Sequence, residues 1–335
     1  MKIQTLAKYV DQPLVINKIN NQMPKLLIGS GSAMAIYDAY KNRNDKREKN
    51  DFKLLKNGII AASIIGATLT AVKKFKLIEI EPASKIIQEQ AKAVDEYIKK
   101  TNLNDNFLLS ILNKSKRNHL SLDEIPVLFE KLKNDSNRTV LFKKLFSENK
   151  SLTSNEIFSE IKRLSTLGAI PVASGIAGGI IADTVTATSS SKGNANKIKE
   201  GFYQYFANIF LCNVGAGTAL FCLEKLHKLG IVKNLSPTKK MLTIMAGITA
   251  MGIVGGSYIA NFLSKKIINP IFAQKKERGI YSERKPEPLD IALHADDIAT
   301  AGVLSGVKWI EPMLPVMYFI SGYRAGNGYR NVTKE

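Results

Sequence analysis

The side chains in this sequence whose types and spacing best fit chemistry in a low-dielectric setting are Lys308 and Glu311. They lie three residues apart, on one face of a helix, inside the apolar stretch 298–323 and beside the break set by Pro312 and Pro315. Charges at membrane depth tend to pair and to mark ion or substrate pathways, and a broken helix frees backbone carbonyls for the same use. If Trp309 marks a membrane interface instead, the same two residues sit at headgroup level. Asn208 and Asn213 fall inside the apolar stretch 201–223, and Asn261 near the end of 241–264. An amide in hydrocarbon is costly without a partner, so each is expected to bond a neighbouring helix, a carbonyl or water. Lys308, Glu311, Asn208 and Asn213 together form the candidate polar site.

His294-x-Asp296-Asp297 places metal- or proton-capable groups in a row just before 298–323. The simpler reading is an acidic first turn favoured by the helix dipole. A metal would also need a further donor, and His119 and His227 lie in unrelated regions. Cys212 and Cys222 share one apolar stretch at a spacing that fits neither a disulfide framework nor a Cys-x-x-Cys pair. There is no Gly-x-x-x-x-Gly-Lys loop, no His-Glu-x-x-His and no Gly-x-Ser-x-Gly elbow. The expectation is therefore no enzyme, metal or cofactor.

The elements that must hold these residues are read from apolar runs. Stretches 201–223 and 241–264 are uncharged, and as helices each would measure roughly 35 Å against a hydrocarbon core of roughly 30 Å. Stretch 164–182 is uncharged but interrupted by Pro171, Gly168, Gly175, Gly178 and Gly179, which predicts a kinked span. Runs 26–37 and 58–72 are short and are candidates for one helical hairpin across the charged turn 41–56.

Small residues four apart recur as Gly175/Gly179, Gly252/Gly256, Gly302/Gly306 and Gly322/Gly326. Without side chains there, helix backbones can approach closely, and van der Waals contact is the main adhesive between helices in lipid. Tyr318, Tyr323 and Tyr329 with Arg324 and Arg330 suggest an interfacial belt.

Residues 76–163 differ in character: charges every few positions, helical periodicity at Ile87, Ala91, Val94 and Ile98, and capping boxes at Ser121/Glu124 and Thr153/Glu156. They read as a soluble bundle of short helices. The stretch 184–200, with Ser189 to Ser191 and alternating Asn and Lys, reads as a flexible polar linker. A weak duplication also shows: Ile36-x-Asp38 precedes Lys56-x-Gly58 as Ile181-x-Asp183 precedes Lys199-x-Gly201.

The formal net charge is +19, with basic residues gathered beside the apolar runs at Lys73-Lys74, Lys239-Lys240 and Lys265-Lys266, where anionic headgroups would lie. That placement favours lipid over nucleic acid as the partner. The first 24 residues carry Lys2, Lys8, Asp11 and Lys18 among apolar ones, so no cleavable signal peptide is expected. Lysine bias favours loops 1–25 and 224–240 on the inside, but the basic turn 41–56 contradicts that orientation.

The sequence thus points to an all-α, multi-pass transmembrane protein with four to six membrane helices and a small soluble helical-bundle insert. Its parts would be a hairpin at 1–75, the insert at 76–163 and a membrane domain at 164–335. The expected role is a membrane scaffold or assembly component forming homo- or hetero-oligomers through glycine-rich helices. The rivals are a small-solute or ion transporter using Lys308 and Glu311, and a basic soluble protein that binds nucleic acid.

Overall fold

The computed structural model describes residues 3–41, 50–78, 81–146, 154–233, 235–272, 295–304 and 307–328. They form α1 (Ile3–Val10), α2 (Pro13–Lys41), α3 (Asn50–Phe75), α4 (Ala83–Thr101), α5 (Asn106–Ser115), α6 (Glu124–Lys131), α7 (Arg138–Leu145) and α8 (Ser154–Val185). Next come α9 (Ser191–Tyr205), a π-helical segment Phe206–Phe210 and α10 (Leu211–Lys228). A second broken run holds α11 (Pro237–Ile248), π Thr249–Gly256, α12 (Ser257–Leu263), π Ser264–Ile268 and α13 (Asn269–Phe272). The chain closes with α14 (Ala295–Leu304), a 3₁₀ turn Lys308–Met313 and α15 (Leu314–Asn327). No strand occurs among the described residues.

Contacts divide the chain into two units: Met1–Gln22, Ile78–Ser151 and Gly306–Pro312 in the first, and the remainder in the second. The first is a bundle of short helices around Val94, Tyr97, Leu108, Leu112, Leu120, Leu128, Leu141 and Phe146. Its helices start where side chains satisfy orphan amides. Asp105 accepts from the N–H groups of Phe107 and Leu108, and the Ser121 N–H donates to Glu124 at 2.7 Å. Thr153 of the other expected capping box lies outside the described residues.

The buried stripe of α4 runs through Ile86, Gln90, Ala93, Val94 and Tyr97, so it includes two polar residues that the apolar periodicity passes over. Partners permit this: Gln90 donates to the Lys144 carbonyl and the Tyr97 hydroxyl donates to Asp135. The N-terminal segment is clipped on by Gln12, whose amide donates to the Leu120 carbonyl at 2.9 Å and accepts from the Leu120 N–H at 2.5 Å.

In the second unit, α3 and α8 run antiparallel and are pinned at both ends. Lys56 Nζ lies 2.6 Å from Asp183 at one end, and Arg163 donates to the Leu77 carbonyl at the other. Among the described residues three helices are long and apolar enough to cross a membrane: Phe52–Phe75, Glu156–Val185 and Ser191–Lys228. This corrects the expected count of four to six. Stretch 241–264 is helical throughout, but it is assembled from short α and π pieces and is not among the three. Stretch 298–323 fails because α14 ends at Leu304 and α15 begins only at Leu314, with a 3₁₀ turn of different pitch before it.

Pro171 lies inside α8, which continues as one helix from Ser154 to Val185. The linker expected at 184–200 is mostly helix as well, started by Ser190, whose hydroxyl accepts from the Gly193 N–H at 3.0 Å. Helix α10 ends at a left-handed Gly230, where the N–H groups of Gly230 and Ile231 return to the carbonyls of His227 and Leu226. This reverses the chain into α11, started by Ser236 ahead of Pro237.

Two helix pairs touch through backbone. A Cβ placed on Gly175 or Gly179 of α8 would lie 2.0 or 2.1 Å from the carbonyl oxygens of Gly322 or Gly326 of α15. The contact is reciprocal, since a Cβ on Gly322 would meet the Pro171 carbonyl at 2.2 Å. Helix α10 meets the α11–α12 run in the same way, with Gly215 on Gly247, Cys212 on Gly252 and Ala207 on Gly256.

From Ala207 to Cys212 and from Gly247 to Gly252 the contacting positions step by five residues. An α-helix cannot keep a five-residue step on one face, whereas a π turn can. The two π segments, Phe206–Phe210 and Thr249–Gly256, lie against each other at that height. Gly302 lies in α14, and its expected partner Gly306 falls outside the described residues.

Replacing Gly175 or Gly179 by Ala is therefore expected to cost about 1–3 kcal/mol each as overpacking that no rotamer change relieves. Gly66→Ala, with nothing within 4 Å of its added carbon, should be neutral or stabilising by up to ~1 kcal/mol. Thermal unfolding of the purified variants checks the contrast.

Candidate functional site

A column of polar side chains is buried along α9, its π segment and α10. Its upper end is Asp183 at the C-terminus of α8, held between the ammonium groups of Lys56 from α3 and Lys197 from α9. Asp183 and Lys197 are almost fully shielded from solvent, at 2% and 3% exposure. Thr188 closes the turn, its N–H donating to the Asp183 carbonyl at 2.8 Å. A carboxylate taken out of water survives as an ion only with such partners.

One turn further, Glu200 faces Arg324 of α15 at 3.5 Å. Gln204 donates to Glu200 at 2.7 Å, and Asn208 donates to Gln204 at 2.9 Å. The spacing of four explains the ladder, since residues i and i+4 stack on one face of a helix. Asn213 then donates to Ser165 of α8 at 3.2 Å. Asn208 and Asn213 both have partners within the bundle.

Glu200, Gln204, Arg324, Asp183, Lys197 and Lys56 were not legible as site residues from apolar runs, because Glu200 read as the end of a polar linker. The spacing Glu200, Gln204, Asn208 was the available signal. Tyr318 and Tyr323, expected in an interfacial belt, are instead fully buried, and Arg324 turns inward to Glu200. Tyr329 and Arg330 lie outside the described residues. Of the two aspartates in the suspected duplication, Asp183 takes the lysines, while Asp38 lies 3.4 Å from the Tyr323 hydroxyl.

Lys308 and Glu311 lie in the 3₁₀ turn Lys308–Met313, in a segment grouped with the first unit, and Lys308 is exposed. A 3₁₀ helix turns every three residues, so Lys308 and Glu311 stack on one face of this short turn and not on a face of a continuous membrane-crossing helix.

His294 lies outside the described residues, but Asp296 and Asp297 open α14 and are buried at 3% and 2% exposure. Burial first, and then the charge of Asp297, hold the Asp296 carboxyl well above the usual carboxylate range. The pair lies near Cys212 of α10 and Tyr318 of α15, and the Tyr318 hydroxyl lies 3.5 Å from that of Thr300. The described residues hold no group of three or more His, Cys, Asp or Glu side chains arranged to bind a metal.

Comparison of the chain with protein-family models, with curated proteins and with solved structures gave no match in any of the three.

Asp183→Asn is expected to remove the carboxylate that Lys56 and Lys197 share in the interior and to cost about 3–5 kcal/mol. Lys197→Met should cost less, and Lys56→Met least, since the Lys56 side chain is 17% exposed. Melting temperatures in that order check the assignment.

Proposed function

We propose that this chain is an integral membrane protein whose second unit forms a rigid helical scaffold in the bilayer and whose first unit stays in water to hold a partner. The observation that carries the reading is the reversed polarity of the second unit. Charged and amide groups lie inside at Lys197, Glu200, Gln204, Asn208 and Asn213. Large apolar side chains face outward at Leu54, Leu55, Phe75, Ile181, Val185, Leu242, Ile259 and Phe262. In water that arrangement exposes apolar area at roughly 25 cal/mol per Å² while burying groups that prefer solvent. In lipid both signs reverse.

Two further observations support a scaffold. Backbones in contact at glycine leave little room for one helix to rock against another, and the column is closed by mutual hydrogen bonds and ion pairs. The first unit supplies a charged surface on a separate apolar core, as a partner-holding module requires. Basic residues at the ends of the spans, such as Lys73 and Lys74, suit anionic headgroups.

Transport is the second reading, favoured by the Glu200–Gln204–Asn208 ladder inside a helix long enough to span. It would run along that ladder and not at Lys308 and Glu311. Nucleic-acid binding by a soluble protein is disfavoured by the outward apolar residues.

The scaffold reading predicts that the expressed chain stays with membranes through an alkaline carbonate wash, enters solution only with detergent, and co-purifies with a second chain or copy. Release by carbonate would overturn the membrane part. A strictly monomeric, partner-free particle in mild detergent would overturn the scaffold part.

A further inference from the structure

We propose that Lys199 of α9, with Lys265 and Lys266 of the segment facing it, binds the phosphate group of one anionic phospholipid, a site that exists only if the second unit lies in lipid as proposed above. Lys199 is 6% exposed, and it has no hydrogen bond or ion pair among the described residues. A lysine seldom leaves water without an anion, because its ammonium gives up hydration that the interior does not replace. The other buried ions of α9 obey that rule: Lys197 is paired with Asp183, and Glu200 with Arg324.

Helix geometry separates Lys199 from those ions. Two residues turn an α-helix by about 200°, so Lys199 lies on the side of α9 opposite Lys197. That side carries Tyr203 one turn on, and Tyr203 packs with Ala207 and with Ala260 of α12. The antiparallel contacts run from Cys212–Gly252 through Ala207–Gly256 to Tyr203–Ala260. One turn further they bring Lys199 level with Ser264, and α9 does pack on the π segment Ser264–Ile268 and on α13. Lys265 and Lys266 belong to that segment; both are exposed and without an ion pair among the described residues. No Asp or Glu occurs from 241 to 276, so the run that packs on this side of α9 offers Lys199 no carboxylate.

Three ammonium groups at one end of a helix pair therefore call for an anion from outside the chain. Its class follows from depth and neighbours. Lys199 and Lys265 stand just outside the uncharged stretches 201–223 and 241–264, at the same end of the pair, which is the level of lipid phosphates. Tyr258, Ile259 and Phe262 are exposed on the adjoining turns of α12, an apolar track for acyl chains that runs from the phosphate toward the bilayer centre. A nucleotide or sugar phosphate would set polar groups against that track. Lysine binds phosphate as a point charge, and basic pockets between membrane helices hold anionic headgroups in this way.

The test uses full-length protein delipidated in dodecyl maltoside. Native mass spectrometry follows retention of added phosphatidylglycerol, with phosphatidylcholine and inorganic phosphate as separate arms. The proposal expects one phosphatidylglycerol per chain, held about tenfold or more tighter than phosphatidylcholine and not displaced by inorganic phosphate. Lys199→Met should weaken it by about tenfold or more, since one partner of a buried charge pair is lost. Lys265→Gln and Lys266→Gln should each weaken it by about fivefold, as lysines near a lipid surface do. Lys73→Met, at an exposed lysine near the end of α3, should change nothing.

Lys199→Met removes a buried charge, so without lipid it should melt no lower than the wild type. Phosphatidylglycerol should raise the melting temperature of the wild type and not of that variant. If a variant is lost, the wild-type preference between lipids still decides. Equal binding of the two lipids, unchanged binding by Lys199→Met, an equal loss with Lys73→Met, or inorganic phosphate bound in place of the lipid would each overturn the proposal. A chain that survives the carbonate wash and shows no lipid preference refutes this site alone, whereas release by carbonate refutes the membrane reading beneath it.

Discussion

Helix backbones in direct contact are the constraint on which the rest of the second unit depends. Where Gly175 and Gly179 meet Gly322 and Gly326, α8 and α15 are closer than any side chain would allow. That approach brings Arg324 within 3.5 Å of Glu200 on α9 and Tyr318 to the acid pair of α14. The contact of α10 with the α11–α12 run places Cys212 against Gly252 and keeps Asn213 toward Ser165. Dispersion contacts are individually about 0.1–0.2 kcal/mol. Gathered along two helix pairs they position every polar group of the column.

The polar column obeys a second rule that follows from the first. Once the helices close, Asp183, Glu200, Gln204 and Asn208 lose water and must satisfy one another. The chain meets this with ladders spaced by four residues and with cations from neighbouring helices. Asp183 between Lys56 and Lys197 ties α3, α8 and α9 together at one end. A π turn at Phe206–Phe210 then shifts the register so that Asn213 faces α8. The π segments are therefore part of the packing: each supplies one five-residue step in a stripe of small residues.

Much of the helical character was legible in the sequence, and the reasons are local. Apolar runs at 58–72, 164–182 and 201–223 mark helices that the structure counts as able to span. Run 298–323 misled, because hydropathy counts residues and not continuity, and two prolines divide it. Run 241–264 is helical throughout, with a π segment at Thr249–Gly256, and is not among the helices counted as able to span. The site was less legible. Asn208 and Asn213 stand out against an apolar background, but Glu200 and Gln204 sit at the polar edge of the run, where a charge reads as solvated. Lys308 and Glu311 stood out for the opposite reason, as charges in an apolar run that the folded chain does not make continuous. What decides burial there is the partner helix, and Arg324 lies 124 positions away from Glu200 (324 minus 200).

The central claim is that the outward faces of these helices are surrounded by acyl chains. Spin labels on single cysteines at Ala62, Ala173 and Ala177, each exposed near the middle of a long apolar helix, report this directly through collisions with oxygen and with a water-soluble nickel chelate. In proteoliposomes the account predicts that oxygen accessibility far exceeds that of nickel at all three positions. Nickel accessibility equal to or above that of oxygen would place those faces in water and contradict it.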